Sequence, residues 1–389
     1  MRIIVCLHDM EVGGSQLNAL DLAAAIRDRG HHVMLYASPG PLMDRVHALG
    51  LDLTLAGSSA RLSVGWAAGL LRLARSWRAD VVHTYDWGPS IGASFGAHGL
   101  IGIPQVMTVP CADVPRFLPR HLDLIVGSRK LWADTGDHPR RHLMAPPVDT
   151  IACVPTDPWP ARRSLGLSPE DLVISLVGQM TTDLDQAAGV IAAIAHVDRL
   201  AEREPAVLLI GGGGPELVRI RAAARRVNTR HGRRVVLATG SLPDPSPAYA
   251  AADVVLGMGG SVLRGMAYAK PAIVLGADGF CEPVTRRTMT SFDWQGFYGV
   301  GDGGEYGLLP HLLELAADAA ERRRRGEWSR AMVEEHHSLR RAALLLENIY
   351  GNALGRRHGL AERAGSLARS AAELGSFLTH RVLAGRPAV

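Results

Sequence analysis

Apolar runs of strand length alternate with helical patterns from the first residues of this chain onward. Residues 3–7 form a continuous apolar run, which predicts a buried strand. The pair Gly13-Gly14 separates it from a segment in which Leu17, Leu20 and Ala24 recur at helical spacing, with Ser15 placed to cap that helix. Gly30 closes the helix and residues 32–36 open a second strand. Runs at 81–83, 106–109 and 122–126 continue the series. Strand, helix, strand in this order predicts a parallel sheet with crossover helices.

The pattern then breaks and restarts. Pro146, Pro147, Pro155, Pro158 and Pro160 crowd one short stretch, which reads as an interdomain linker. A second set of strand-length runs follows at 173–177, 207–210, 235–238, 254–256 and 273–275. The expected organisation is an α/β domain over 1–150, a second over 151–345, and a helical tail over 346–389 that packs back on the body. Two such domains make a cleft, and ligands of such sheets sit at the carboxyl ends of the strands.

Composition narrows the class. The 389 residues are 47% hydrophobic, enough for two cores. The formal net charge of +4 is mild and the aromatics are sparse, so a nucleic-acid partner is not expected. Only Lys130 and Lys270 are lysines, a bias that fits a GC-rich coding sequence of bacterial type. Cys6, Cys111, Cys153 and Cys281 are far apart, which argues against a zinc site or a disulfide framework and fits a reducing cytoplasm. No signal peptide or membrane-spanning run is evident. Residues 66–77 carry apolar positions at helical spacing, read as core packing over interfacial membrane contact. The charge run 321–325 reads as a solvated helix face. Glu334-Glu335-His336-His337 lacks the spacing of a metal motif, and no metal is expected.

Three glycine turns at strand ends are the candidate chemistry. Gly13-Gly14-Ser15-Gln16 lies between the first strand and its helix, where backbone N–H groups at a helix start can face an anion. Gly211-Gly212-Gly213-Gly214-Pro215-Glu216 follows the 207–210 run, and Pro215 suits the first position of a helix. A dinucleotide site would need an acidic residue about 20 positions on, but Thr229-Arg230-His231 stands there, so a loop against a nucleotide or the domain interface remains. Gly257, Gly259 and Gly260 turn the 254–256 strand into a helix over 261–269, whose N–H groups at Gly260, Ser261 and Val262 are expected to point at a phosphate. His8, His83, Asp86, Asp113 and Glu282 each follow or end an expected strand and so could border the cleft. Of these, His8 and Asp113 are candidates to orient an acceptor hydroxyl.

Taken in order, these residues resemble the family 4 glycosyltransferases, retaining enzymes of the GT-B fold. The resemblance covers most of 1–350. It rests on Gly13-Gly14-Ser15-Gln16, Arg29-Gly30-His31, Asp80-Val81-Val82-His83, Pro147-Val148-Asp149-Thr150, Gly213-Gly214-Pro215-Glu216, Thr239-Gly240, Tyr249-Ala250-Ala251-Ala252-Asp253 and Leu263-Arg264-Gly265-Met266-Ala267. It implies two Rossmann-like domains facing a central cleft, with a nucleotide-diphosphate sugar held mainly by the second. Gly14 would approach the distal phosphate, Gly240-Ser241-Leu242 would border the base, and Ser261-Val262 would contact the diphosphate. Glu282 would lie near the sugar hydroxyls, and a small-molecule or carrier-bound acceptor would take the sugar.

The departures from the family fall on the chemistry. Leu256 and Arg264 occupy the two places of its Glu–x7–Glu pattern, and no Lys or Arg occurs between Arg163 and Arg199, where the family grips the diphosphate. Pro110 stands where a histidine is usual. Losing one transition-state donor costs about 10²–10³ in rate. Either the site is rewired, with Arg264 as the new cation for the diphosphate or an anionic acceptor, or the chain is a degenerate transferase kept as a ligand-binding or activating partner.

Overall fold

The computed structural model describes residues 1–57, 62–109, 113–182, 185–301, 307–356 and 359–383. Of the residues singled out above, Pro110 and Cys111 lie outside them. The chain divides into two units, one of Met1–Pro146 with Leu339–Val389, the other of Pro147–Ser338.

The first unit is built on a parallel sheet of order β3-β2-β1-β4-β5-β6-β7. Its strands are β1 (Arg2–Cys6), β2 (His32–Ala37), β3 (Asp52–Leu55), β4 (Val81–Tyr85), β5 (Gln105–Val109), β6 (Asp123–Val126) and β7 (Arg141–Leu143). Consecutive parallel strands need crossovers, and the helices Gly14–Asp28 and Val64–Ser76 supply two of them. Trp66 is buried against Tyr36, with ring centroids 5.2 Å apart, so this end of the 66–77 pattern packs in the core. Trp77 ends the helix with the Arg2 guanidinium 4.7 Å over its ring.

The second unit holds β8 (Leu172–Val177), β9 (Ala206–Gly211), β10 (Val236–Gly240), β11 (Val254–Gly257), β12 (Ala272–Leu275) and β13 (Cys281–Pro283) in the order β10-β9-β8-β11-β12-β13. All pairs are parallel except β12 with β13. Asp253, from the Tyr249–Asp253 motif, has a structural task. Its carboxylate accepts from the Arg162 guanidinium at 2.6 Å and from the Val173 N–H at 2.8 Å, which ties the starts of β8 and β11 together.

The C-terminal helices belong to the first unit. The helix Leu339–Gly355 buries Ala342, Ala343, Leu346, Ile349, Tyr350 and Ala353, one apolar stripe at helical spacing, in the core against the helix Gly14–Asp28 and the strands β4 and β5. A boundary at 345 would cut this stripe in two, and the division falls at Ser338 instead because the stripe packs as a whole. The first boundary falls at Pro146 where 150 was expected. The last helix, Leu360–Leu383, seats Phe377 against Phe117 and Trp87. No helix among the described residues is long and apolar enough to cross a membrane. In the 321–325 run, Glu321 pairs with Arg324 and Arg325 on the helix Ala319–His336.

Candidate functional site

In the first unit the carboxyl ends of the neighbouring strands β1 and β4 gather a polar group. His8 follows β1, and its Nε2 lies 3.0 Å from the Asp9 carboxylate. The Gln16 amide reaches both, at 3.1 Å from His8 Nε2 and 2.6 Å from Asp9 Oδ1. Asp86, after β4, places Oδ2 3.9 Å from His8 Nδ1. Burial works to raise the Asp9 pKa, but hydrogen bonding and charge from His8, with further bonds from Glu11 and Gln16, bring it down to about 2. Asp9 is therefore a carboxylate at any physiological pH.

The Gly13-Gly14 turn lies beside this group. Gly13, in extended conformation, caps the helix Gly14–Asp28, so Ser15 is not the cap expected from the sequence but sits inside the first turn. A side chain added at Gly14 would meet nothing within 4 Å. The backbone at this helix start is open.

Two other first-unit candidates are placed differently. His83 is fully buried in β4, held by the Tyr350 hydroxyl and the Thr108 hydroxyl, each at 2.7 Å. Burial lowers its pKa to about 3, so it is a neutral core residue and not a cleft residue. Asp113 is exposed and borders a separate cavity of about 1240 Å³, lined also by Arg116, Phe117, His138 and Phe377.

In the second unit three strand-end loops are joined by backbone hydrogen bonds. Gly178 N–H donates to Gly211 O at 3.0 Å, Met180 N–H to Gly213 O at 2.8 Å, Glu216 N–H to Met180 O at 2.9 Å, and Gly212 N–H to Gly240 O at 2.8 Å. Gly212 and Gly214 are needed for this contact. A Cβ on Gly212 would fall 1.7 Å from Gly178 O, and one on Gly214 would fall 2.4 Å from Met180 O. What approaches this loop is the chain's own 178–180 segment. Leu242 closes over Gly211 in the same way, its Cδ1 2.6 Å from where a Cβ would stand. Pro215 precedes the cap Glu216 of the helix Leu217–His231 and is not its first residue.

The turn after β11 is built otherwise. Gly259, at φ 55 and ψ −132, caps the helix Gly260–Ala267, a conformation that favours glycine. Its N–H donates to Phe297 O at 2.7 Å, and the Tyr298 ring lies beside it. A Cβ on Gly260 would meet nothing within 4 Å. Ser261 turns inward: its N–H and its hydroxyl both donate to Met258 O, at 3.3 and 2.8 Å. The Val262 side chain is wholly buried, so it cannot touch a ligand. Leu256 is likewise wholly buried in β11. Arg264, half-buried, stands in the last turn of this short helix and not at its start. It lies four residues after Gly260, on the same helix face, and helical side chains lean toward the N-terminus.

Glu282 sits in the edge strand β13, opposite Val274. Burial, and then the Glu282 charge, push the neighbouring Cys281 thiol up to about 12. Among the described residues no group of three or more His, Cys, Asp or Glu gathers as a metal-ligand set. Glu334 pairs with Arg330, and His337 is buried near Asp293. Sequence reasoning missed Asp9 and Tyr298. The His8-Asp9 dipeptide at a strand end carried a signal for the first, and nothing marked the second.

Comparison with known proteins agrees with this architecture unit by unit. Residues 12–133 match the model described as Glycosyltransferase Family 4, and residues 171–294 match that of Glycosyl transferases group 1. Comparison with curated proteins finds no match. Among solved structures, a glycosyltransferase from Rickettsia africae superposes with a TM-score of 0.70 at 14% identity, covering 91% of this chain and 99% of its own. HepE of Anabaena in complex with UDP and glucose gives 0.69 at 14% identity, over 90% and 100% of the two chains. The catalytic domain of starch synthase IV from Arabidopsis thaliana, bound to ADP and acarbose, gives 0.67 at 14%, over 92% and 100%. With a family 4 domain in one unit, a group 1 domain in the other and the fold of these structures throughout, the chain is a GT-B glycosyltransferase of family 4-like type.

Proposed function

We propose that the protein transfers a sugar, with retention, from a nucleotide-diphosphate donor held by the second unit to a small-molecule or carrier-bound acceptor. The observation that carries this reading is the helix start at Gly260. Its backbone is open, its cap Gly259 holds a glycine-favouring conformation, and it lies at the carboxyl end of β11. The structures of HepE with UDP-glucose and of starch synthase IV with ADP support such a donor by analogy of fold. In this reading Arg264 supplies the cation for the diphosphate, reaching back along its helix toward Gly260. The Gly260 N–H group is then the backbone donor, since the Ser261 N–H is spent on Met258 and Val262 is wholly buried. Gly14 offers a second open helix start in the first unit, and His8 is the group that meets the acceptor hydroxyl.

The test is equilibrium binding of UDP and ADP, followed by release of nucleotide from UDP-glucose and ADP-glucose. Micromolar binding that weakens roughly tenfold or more in Arg264→Ala supports the site. No affinity for any nucleoside diphosphate would sink it. Binding without any turnover, over a panel of donors and acceptors, would favour the partner protein over the enzyme.

A further inference from the structure

We propose that Asp86 is a positioning residue for His8, held in a strained backbone conformation so that its carboxylate faces the imidazole. The transfer it serves is the one proposed above, so the inference rests on that reading.

Asp86 has φ 71 and ψ 167, a region of backbone space that is essentially reserved for glycine. Capping does not require this. Asp86 does cap the helix Trp87–Ala93, with Oδ1 accepting from the Trp87 N–H at 2.7 Å, but capping residues ordinarily sit in the extended region with negative φ. The surroundings hold the unusual conformation firmly. The Asp86 N–H donates to Thr108 O at 2.8 Å. Its carbonyl accepts from the Ser90 N–H at 3.3 Å and from the Ser90 hydroxyl at 2.6 Å. With Oδ1 spent on the cap, Oδ2 faces His8 Nδ1 at 3.9 Å.

His8 is thus addressed from both sides. Asp9, in the loop after β1, faces Nε2 at 3.0 Å, and Asp86, after β4, faces Nδ1. Gln16, from the helix after β1, adds a contact to Nε2. Carboxylates from two strand ends flank the ring, and strain at Asp86 is the local cost of setting the second one. A residue strained beyond what its cap requires, and over-determined by its neighbours, is a mark of a site in use.

The experiment compares Asp86→Gly and Asp86→Asn in the full-length chain. Glycine relieves the strain and removes the carboxylate, while asparagine keeps an oxygen for the cap and removes the charge. Three readouts are taken: thermal stability, the ring-nitrogen NMR signals of His8, and hydrolysis of UDP-glucose. The expected result is a Tm in Asp86→Gly that holds or rises by a few degrees, displaced His8 ring signals in both variants, and a kcat lowered by at least about tenfold with KM nearly unchanged. Unmoved His8 signals in both variants would overturn the proposal, whatever the turnover. A large fall of Tm in Asp86→Gly would also overturn it, because the conformation would then be one that suits aspartate. If the wild type neither binds nor hydrolyses a nucleotide sugar, the proposed donor fails, and the His8 signals still decide the role of Asp86.

Discussion

The loop 211–214 and the turn 259–260 look alike in sequence, since each is a glycine cluster after a strand and before a helix. Their structures differ in what fills the space that a side chain would take. At Gly212 and Gly214 it is the backbone of 178–180. At Gly260 it is open. The strand-end histidines divide in the same way. His83 is filled in by Tyr350 and Thr108, whereas His8 is partly exposed between carboxylates. A gap in side-chain volume is a statement that something comes close, and the fold decides whether that something is the chain itself.

This division can be broken by substitution. Gly212→Ala forces a Cβ against a carbonyl oxygen at a φ of 155, and should lose roughly 3 kcal/mol of stability in chemical denaturation. The division fails if Gly212→Ala folds as the wild type does. Arg264→Ala should cost about 1.5–3 kcal/mol of nucleotide binding, read by calorimetry, with stability little changed. The filled histidine predicts a pH effect. Burial holds the folded-state pKa of His83 near 3, below its ordinary 6.5, so the unfolded chain takes up the proton first. The stability this gives is complete above about pH 6.5 and drains away as pH falls toward 3, by up to about 1.4 kcal/mol per pH unit. A His83→Gln variant should lose that part of the acid sensitivity, and an unchanged pH profile would reassign it. The smallest effect is the most telling. Gly260→Ala should raise stability by roughly 0.5 kcal/mol, since alanine is the better helix former and nothing stands in its way, while weakening nucleotide binding.

Most of the sheet framework was legible. The apolar runs mark β1, β2, β4, β5, β6 and β8 through β12, because strands buried on both faces read as continuous apolar stretches. The strands β3, β7 and β13 were not. Asp52 and Thr54 interrupt the first, Arg141-His142-Leu143 is too short to show a pattern, and Pro283 ends the third at a sheet edge where proline is tolerated. The candidate site was legible in its glycines and in His8, and illegible where long-range packing decides. His83 meets Tyr350 across 267 positions of sequence. The conformation of Asp86 leaves no trace in residue type, since aspartate is an ordinary cap.

The return of the helix Leu339–Gly355 to the first unit has a consequence for the order of events at the ribosome. Domains made first usually fold first. Here residues 1–146 emerge without Leu346, Ile349 and Tyr350, which complete their core. Synthesis of the about 190 residues in between takes roughly 10–40 s at cellular elongation rates. For that interval the faces of β4 and β5 that this helix packs on are uncovered and His83 lacks its phenol partner. The unit translated first is finished last, and a nascent chain arrested at Ser338 should be the form most readily bound by chaperones.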